Sequence, residues 1–358
     1  MDNRAAVQHF GDQARMRSSS LNLVIYILRR LAISIPVLLV GTFLCFIMVA
    51  GTGDPLAEMK SNPAISKEAI AQLASQLGLD QSIVPRYFTW LGNFITGDWG
   101  VSIAQGNAQA PVFPKVMAAF EVTLKLVVGA EILALILGVL VGVVAAVKQY
   151  SILDYIATTL AFLLFSMPIF CVAIVLKGYA IQFNGWVRDL GLSDVLGNPW
   201  IRTTSPESLN FNGPGGFLAS YVGAYLLPTL SIMAISFAAY SRFQRASMLE
   251  TLNADYVRTA RAKGLANGRV IFRHAFRNAL IPVTTLFSVN FGAVLSGAII
   301  TETVFNWNGM GKLLVEAVIK SDTQVMMGWL VLIASSIIVA NLIADLMYGI
   351  LDPRIRVG

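Results

Sequence analysis

Apolar residues fill six long stretches of this chain, at about 31–50, 119–147, 152–181, 217–240, 281–304 and 325–351. A helix needs about 20 apolar residues to cross a hydrocarbon core of roughly 30 Å. Each stretch therefore reads as a transmembrane helix, and the fold class expected is an all-α polytopic membrane protein with six transmembrane helices. Several stretches exceed the required length, which implies tilt or extension into the interface. Pro168 falls inside the third and predicts a kink there.

The polar segments between them divide the chain. Residues 1–20 carry a Ser run and read as a flexible tail, followed by a first transmembrane helix within 21–50. Residues 51–118 form an external segment with helix-like patches at 67–77 and 85–94, and residues 183–216 form a loop rich in Gly, Asn, Pro and Ser. The remaining chain, 119–358, holds five spans and a basic loop at 241–280. In that loop 255–263 favours a short helix, and Gly264 is a suitable stop because glycine accepts the left-handed conformation. Asn267-Gly268 marks a turn, with Asn267 placed to cap a second helix. There Arg269, Arg273 and Arg277 recur at i, i+4 and i+8 beside a stripe of Phe272, Phe276 and Leu280. Pro282 then opens the fifth span. The expected product is a compact, exposed elbow around 264–268.

Composition agrees with a membrane protein: of 358 residues 56% are hydrophobic and 13% charged, against about 25% charged in soluble domains. The net charge of +6 could suggest a nucleic-acid partner, but most basic residues flank the apolar spans. With the N-terminus inside, sixteen of the 26 Lys and Arg residues fall in inner segments and eight in longer outer ones. That bias places both termini and the basic loop in the cytoplasm. Cys45 and Cys171 lie within apolar runs and read as small buried residues. The first apolar run is too long, and lacks the small-residue site, for a cleavable signal.

Polar residues inside spans are the candidates for chemistry. Glu121 and Lys125, four apart, read as a structural ion pair in preference to a substrate contact. A charged residue near a helix centre costs about 2.5–3.5 kcal/mol on insertion scales, so Glu131 should face protein or water. It reads either as a pathway residue or as a hydrogen-bonded packing residue. Ser288, Asn290 and Ser296 divide the same way between pathway lining and helix packing. Residues 302–325, with Glu302 and Trp307, are candidates for the outer mouth, where 312–320 has a short helical pattern. Gly309-Met310-Gly311-Lys312 superficially suggests a phosphate loop but lacks the upstream glycine and the Ser/Thr. No metal site and no cofactor are expected in this chain. His9 and His274, its two histidines, fall outside the spans and leave no catalytic pair at membrane depth.

The chain also resembles the dipeptide/oligopeptide branch of the ABC-importer permeases over most of its length. The resemblance rests on Arg29-Arg30-Leu31, Ile35-Pro36, Gly53-Asp54-Pro55, Leu77-Gly78-Leu79-Asp80, Tyr87, Trp90 and Gly97-Asp98-Trp99-Gly100. It continues through Ser166-Met167-Pro168-Ile169-Phe170, Ala246-Ser247-Met248-Leu249-Glu250 and Asp255 to Gly264. It closes with Arg277-Asn278-Ala279-Leu280-Ile281-Pro282, Glu302-Thr303-Val304-Phe305 and the terminal Leu351-Asp352-Pro353-Arg354-Ile355-Arg356. The basic loop is similar to the family's EAA loop, with Arg258, Thr259 and Ala260 in the Glu-Ala-Ala positions, as in the peptide branch. Other departures are Thr52 and Asn308, where proline is usual, and Glu131, where an apolar residue is usual.

The resemblance implies the type I ABC-importer permease fold. Beside the lipid bilayer that the spans require, it implies three kinds of partner: a second homologous permease, two cytoplasmic ATPase subunits and an external substrate-binding protein. ATP and Mg would be bound by the ATPase partners. It assigns ATPase coupling to Arg258, Thr259, Ala260, Arg261, Lys263, Gly264 and Leu265, with Val270 a further apolar anchor. Peptides are the expected substrate; nickel, glutathione or oligosaccharide are alternatives within the same class. Outside it stands an ion-coupled secondary transporter using Glu131. Taken by itself, the basic loop also fits an amphipathic helix lying on anionic lipid.

Overall fold

The computed structural model describes residues 3–51, 53–61, 63, 65–103, 110–191, 199–205, 221–296 and 298–351, with side chains within 27–343. It is helical almost throughout. Helix α1 (Asn3–Gly51) carries the first span at Ile27–Gly51. The stretch expected as a tail therefore continues the same helix from Asn3, through residues such as Ala5, Ala6, Gln13 and Ala14 that favour helix. The external segment contains α2 (Ala57–Ser61), α3 (Lys67–Gln76) and α4 (Ile83–Ile95). Ser66 starts α3 by accepting the Ala69 N–H at 3.2 Å. A two-residue antiparallel pair follows, β1 (Val101–Ser102) with β2 (Ala110–Pro111).

The core comprises α5 (Val112–Val147), α6 (Ile152–Ser166), α7 (Ile169–Asp189) and α8 (Gly223–Leu252). After them come α9 (Asp255–Ala262), α10 (Asn267–Ala279), α11 (Ile281–Leu295), α12 (Ile299–Val304), α13 (Met310–Ile319) and α14 (Thr323–Leu351). Among the described residues five helices are long and apolar enough to cross a membrane. A sixth span is reached by counting α10 and α11, bent 42° to each other, as one. Parts of the expected loop at 183–216, the start of the fourth span before 221, and the C-terminal motif after Leu351 lie outside the described residues.

Two boundaries differ from the sequence expectation. The third span does not kink at Pro168; it breaks into α6 and α7. Pro168 has no N–H to donate and holds Met167 extended (ψ 131°). The 15 residues of α6 rise only about 22 Å, which is too short to cross alone. The fifth span likewise ends at Leu295, and α12 is a separate short helix.

The tightest packing joins α5 to α8. Along α5 a small residue recurs at every fourth position, Ala130, Ala134, Gly138, Gly142 and Ala146, and all five are buried. A Cβ on Gly138 would stand 2.8 Å from Tyr240 Cβ, and one on Gly142 2.7 Å from the Ser241 carbonyl oxygen. In lipid the hydrophobic effect gives helices little reason to associate, so close backbone approach along such a ridge supplies the contact. At one end of this pair, Arg245 on α8 forms a two-pronged ion pair with Asp154 of α6, Nε to Oδ1 at 2.6 Å and Nη2 to Oδ2 at 2.8 Å. By contrast α1 sits at the edge, packed on α14 and α4, with most of its apolar surface exposed.

Candidate functional site

The elbow is built at the end of α8. After Leu252 the chain turns through Asn253, whose side-chain amide donates to the Leu249 carbonyl at 3.0 Å, and α9 begins. Val257 and Ala260 form its inner face. They pack with Met248 of α8, Val143 and Ala146 of α5, and Val270, Ala275 and Ala279 of α10. The elbow thus has its own small core, seated on the α5–α8 pair. Gly264 terminates the turn with φ +74°, its N–H donating to the Arg261 carbonyl at 2.9 Å, and nothing stands within 4 Å of the position its Cβ would take. Gly264 is therefore favoured by conformation rather than by crowding inside this chain.

The second helix differs from the expected one. Ala266 occupies the cap position and Asn267 is the first helical residue, with no side-chain capping bond. From Val270 to Phe276 the helix widens to π geometry. In an α-helix, residues five apart point about 140° apart; the wider turn lets Val270 and Ala275 both reach the elbow core. Arg269, Arg273 and Arg277 remain exposed. Asn278 on α10 donates to the Tyr256 hydroxyl on α9 at 2.9 Å and ties the two arms together.

These placements sort the coupling candidates. Arg258, Thr259, Arg261, Lys263 and Gly264 are exposed at the tip, and Leu265 is half-buried against the elbow core. Ala260 and Val270 are buried within that core, so within this chain they pack the elbow from inside rather than standing at its tip. The Arg258–Asp255 pair, at 3.9 Å and largely exposed, contributes little.

The intramembrane candidates are placed elsewhere. Glu131 has no exposed surface in this chain. It accepts from Ser236 Oγ and from the Tyr240 hydroxyl of α8, each at 2.5 Å, so its carboxylate is satisfied by the neighbouring helix. Ser288 is buried and donates to the Thr284 carbonyl at 2.8 Å. Asn290 and Ser296 are half-buried, and Ser296 donates to the Ala293 carbonyl at 2.7 Å. Glu121 and Lys125 form the expected ion pair at 2.6 Å, on an exposed face.

Glu302 and Trp307 are not on a surface at all. Glu302 accepts from Thr123 Oγ1 at 2.7 Å and from the N–H groups of Gly311 and Lys312 at 2.8 and 3.1 Å. The apparent phosphate loop at 309–312 is thus the start of α13, and Glu302 is the anion it holds. A Cβ on Gly309 would come within 2.4 Å of Glu302 Cδ, which explains that glycine. Trp307 is buried, its ring 4.9 Å from Tyr225.

Sequence reading missed two features: the small-residue ridge on α5 and the Asp154–Arg245 pair. The first was visible as a four-residue period. For the second, Ser151 and Asp154 gave a helix-start signal: Asp154 N–H donates to Ser151 Oγ at 3.3 Å. Nothing local named Arg245.

Residues 138–357 match the family described as binding-protein-dependent transport system inner membrane component, and residues 23–138 match its N-terminal membrane-component family. A dipeptide transport system permease protein of Escherichia coli (strain K12) is 39% identical over 338 residues, covering 92% of this chain and 98% of the relative. An oligopeptide transport system permease protein of Bacillus subtilis (strain 168) is 37% identical over 334 residues, covering 92% and 99%. A di/tripeptide transport system permease protein of Pseudomonas aeruginosa (strain UCBPP-PA14) is 36% identical, with 92% and 98% covered.

Proposed function

This chain belongs to the family of binding-protein-dependent transport system inner membrane components, and from that premise we propose that it forms half of a translocation pathway for di- and oligopeptides in a bacterial inner membrane. It is a multi-pass transport subunit of the type I permease fold rather than an enzyme. The second half is a homologous permease, the solute is delivered by an external binding protein, and ATP and Mg are bound by two cytoplasmic ATPase subunits. Peptide is the substrate because the relatives that this chain matches over nearly their full length are named for dipeptides, di/tripeptides and oligopeptides.

The observation that carries the mechanism is the elbow. It is a preformed, internally packed projection with exposed Arg258, Arg261 and Lys263 around a glycine turn. Its core is shared with α5 and α8, so a push on the tip moves the most tightly packed helix pair as a unit. Basic side chains at the tip suit acidic groups on an ATPase, and the excess of Lys and Arg on this side supports a cytoplasmic elbow and cytoplasmic termini. The ion-coupled alternative loses its main support, because Glu131 is enclosed and hydrogen-bonded between α5 and α8.

The test is reconstitution. Vesicles holding the full assembly with its binding protein should accumulate a labelled tripeptide only when ATP is inside the ATPase compartment. Vesicles holding this chain alone should accumulate none. Uptake by the chain alone, driven by an ion gradient, would overturn the assignment.

A further inference from the structure

At the end of the bundle opposite the elbow, α4 lies against the ends of α1 and α14, and its two flanks differ in character. Tyr87 and Trp90 form the buried face, in ring contact with Phe43 and Phe46 of α1 at 5.0–6.0 Å. The rings continue through Phe94 to Trp99, a cluster of the kind that marks the headgroup level of a bilayer. On one flank Val84, Phe88 and Ile95 are exposed, an apolar stripe at i, i+4 and i+11. On the other, Arg86, Thr89 and Asn93 at i, i+3 and i+7 line a cavity of about 260 Å³. An interfacial helix with these flanks turns the apolar one into acyl chains and leaves the polar one at headgroup depth.

The cavity is closed by Phe46 and Val49 near the end of α1, Gln324 and Met327 at the start of α14, and the turn at 77–81. Gly78, at φ +62°, completes that turn, and its Cβ position lies 3.7 Å from Arg86 Cγ. Arg86 is half-buried with its guanidinium 5.2 Å from the Phe46 ring centre. Among the described residues no carboxylate pairs with it. Asp98, the acid in the same lining, accepts the Gly100 N–H at 2.9 Å instead. Burial pulls the Arg86 guanidinium below its ordinary value, with no anion offsetting that cost. The cavity has room for an anionic group beside this unpaired cation.

We propose that the cavity holds the phosphate of a phospholipid headgroup on Arg86. Arg86 supplies the charge and the fork geometry that a phosphate takes. Asn93 and Gln81 offer further donors around it.

The test uses the full chain purified in a mild detergent, with phosphatidylglycerol, phosphatidylcholine or water-soluble glycerol phosphate added back. Retained phospholipid is counted by mass spectrometry, and thermal stability is read in parallel. The wild-type chain should retain phospholipid and be stabilised by phosphatidylglycerol. Arg86→Gln should weaken retention about tenfold, the loss of a charge-assisted hydrogen bond, and Arg86→Lys should keep part of it. Equal retention by all three proteins overturns the proposal. So does stabilisation by glycerol phosphate as strong as by the lipid, which would make the cavity a free-anion site. Loss of binding-protein affinity in Arg86→Gln with lipid retention unchanged would assign the cavity to that partner and likewise overturn it.

Discussion

Replacing Asp154 with asparagine removes one charge from a nearly enclosed pair, and the structure gives a size for the effect. The carboxylate side chain is 4% exposed and its partner Arg245 is 27% exposed. It accepts the two guanidinium bonds at 2.6 and 2.8 Å, the Tyr150 N–H at 3.0 Å and the Thr158 hydroxyl at 3.2 Å. Asparagine keeps one acceptor but turns an NH₂ toward a guanidinium that has no acceptor of its own. Breaking a fully buried pair costs about 3–5 kcal/mol, and an exposed pair is worth about 0–1 kcal/mol. With one partner a quarter exposed, Asp154→Asn should cost about 2–3 kcal/mol, between those limits. Arg245→Gln should cost somewhat less, since Tyr150 and Thr158 still satisfy the carboxylate. Chemical unfolding of the purified chain and its two single and one double variants gives a coupling energy. About 1–2 kcal/mol is expected for such a pair. A coupling below about 0.5 kcal/mol would refute the reasoning, because it would mean that solvent already screens the pair.

Three further outcomes follow from the packing. Gly142→Leu should separate α5 from α8 and cost at least about 1–3 kcal/mol by overpacking, whereas Gly129→Leu, on open surface of the same helix, should be nearly neutral; unfolding midpoints compare them. Glu302→Ala should leave the Gly311 and Lys312 N–H groups without their acceptor and cost about 1–3 kcal/mol, seen as faster proteolysis around 305–312. Glu131→Gln, still able to accept from Ser236 or Tyr240, should retain most ATP-driven uptake in vesicles. Abolished uptake in a stably folded variant would restore Glu131 to the pathway.

Local signals carried most of what the sequence disclosed. Spans declare themselves because lipid demands a long apolar run, and the elbow because Gly264 needs a left-handed turn after a polar helix. Pro168 marks the interruption, but a proline in an apolar run can either kink a helix or end it, and the run alone does not choose between them. Burial of Ala260 and Val270 was not legible, since the core that takes them is completed by Val143 and Ala146, more than a hundred residues away in the chain. For the same reason a carboxylate such as Glu302 or Glu131 reads as functional until the donors that enclose it are known. The α5 ridge needed no tertiary knowledge: its four-residue period was present in the sequence from Ala130 to Ala146.

The most direct test of the coupling role is Gly264→Asp in the reconstituted assembly. Aspartate tolerates the left-handed conformation better than most residues, and the position is open within this chain, so the elbow should still fold. A charged side chain at the tip should instead spoil its seat on the ATPase. ATP hydrolysis should persist near its basal rate while peptide uptake falls to background. Normal, ATP-dependent peptide uptake by the variant would contradict the claim that the elbow is where force enters the membrane helices.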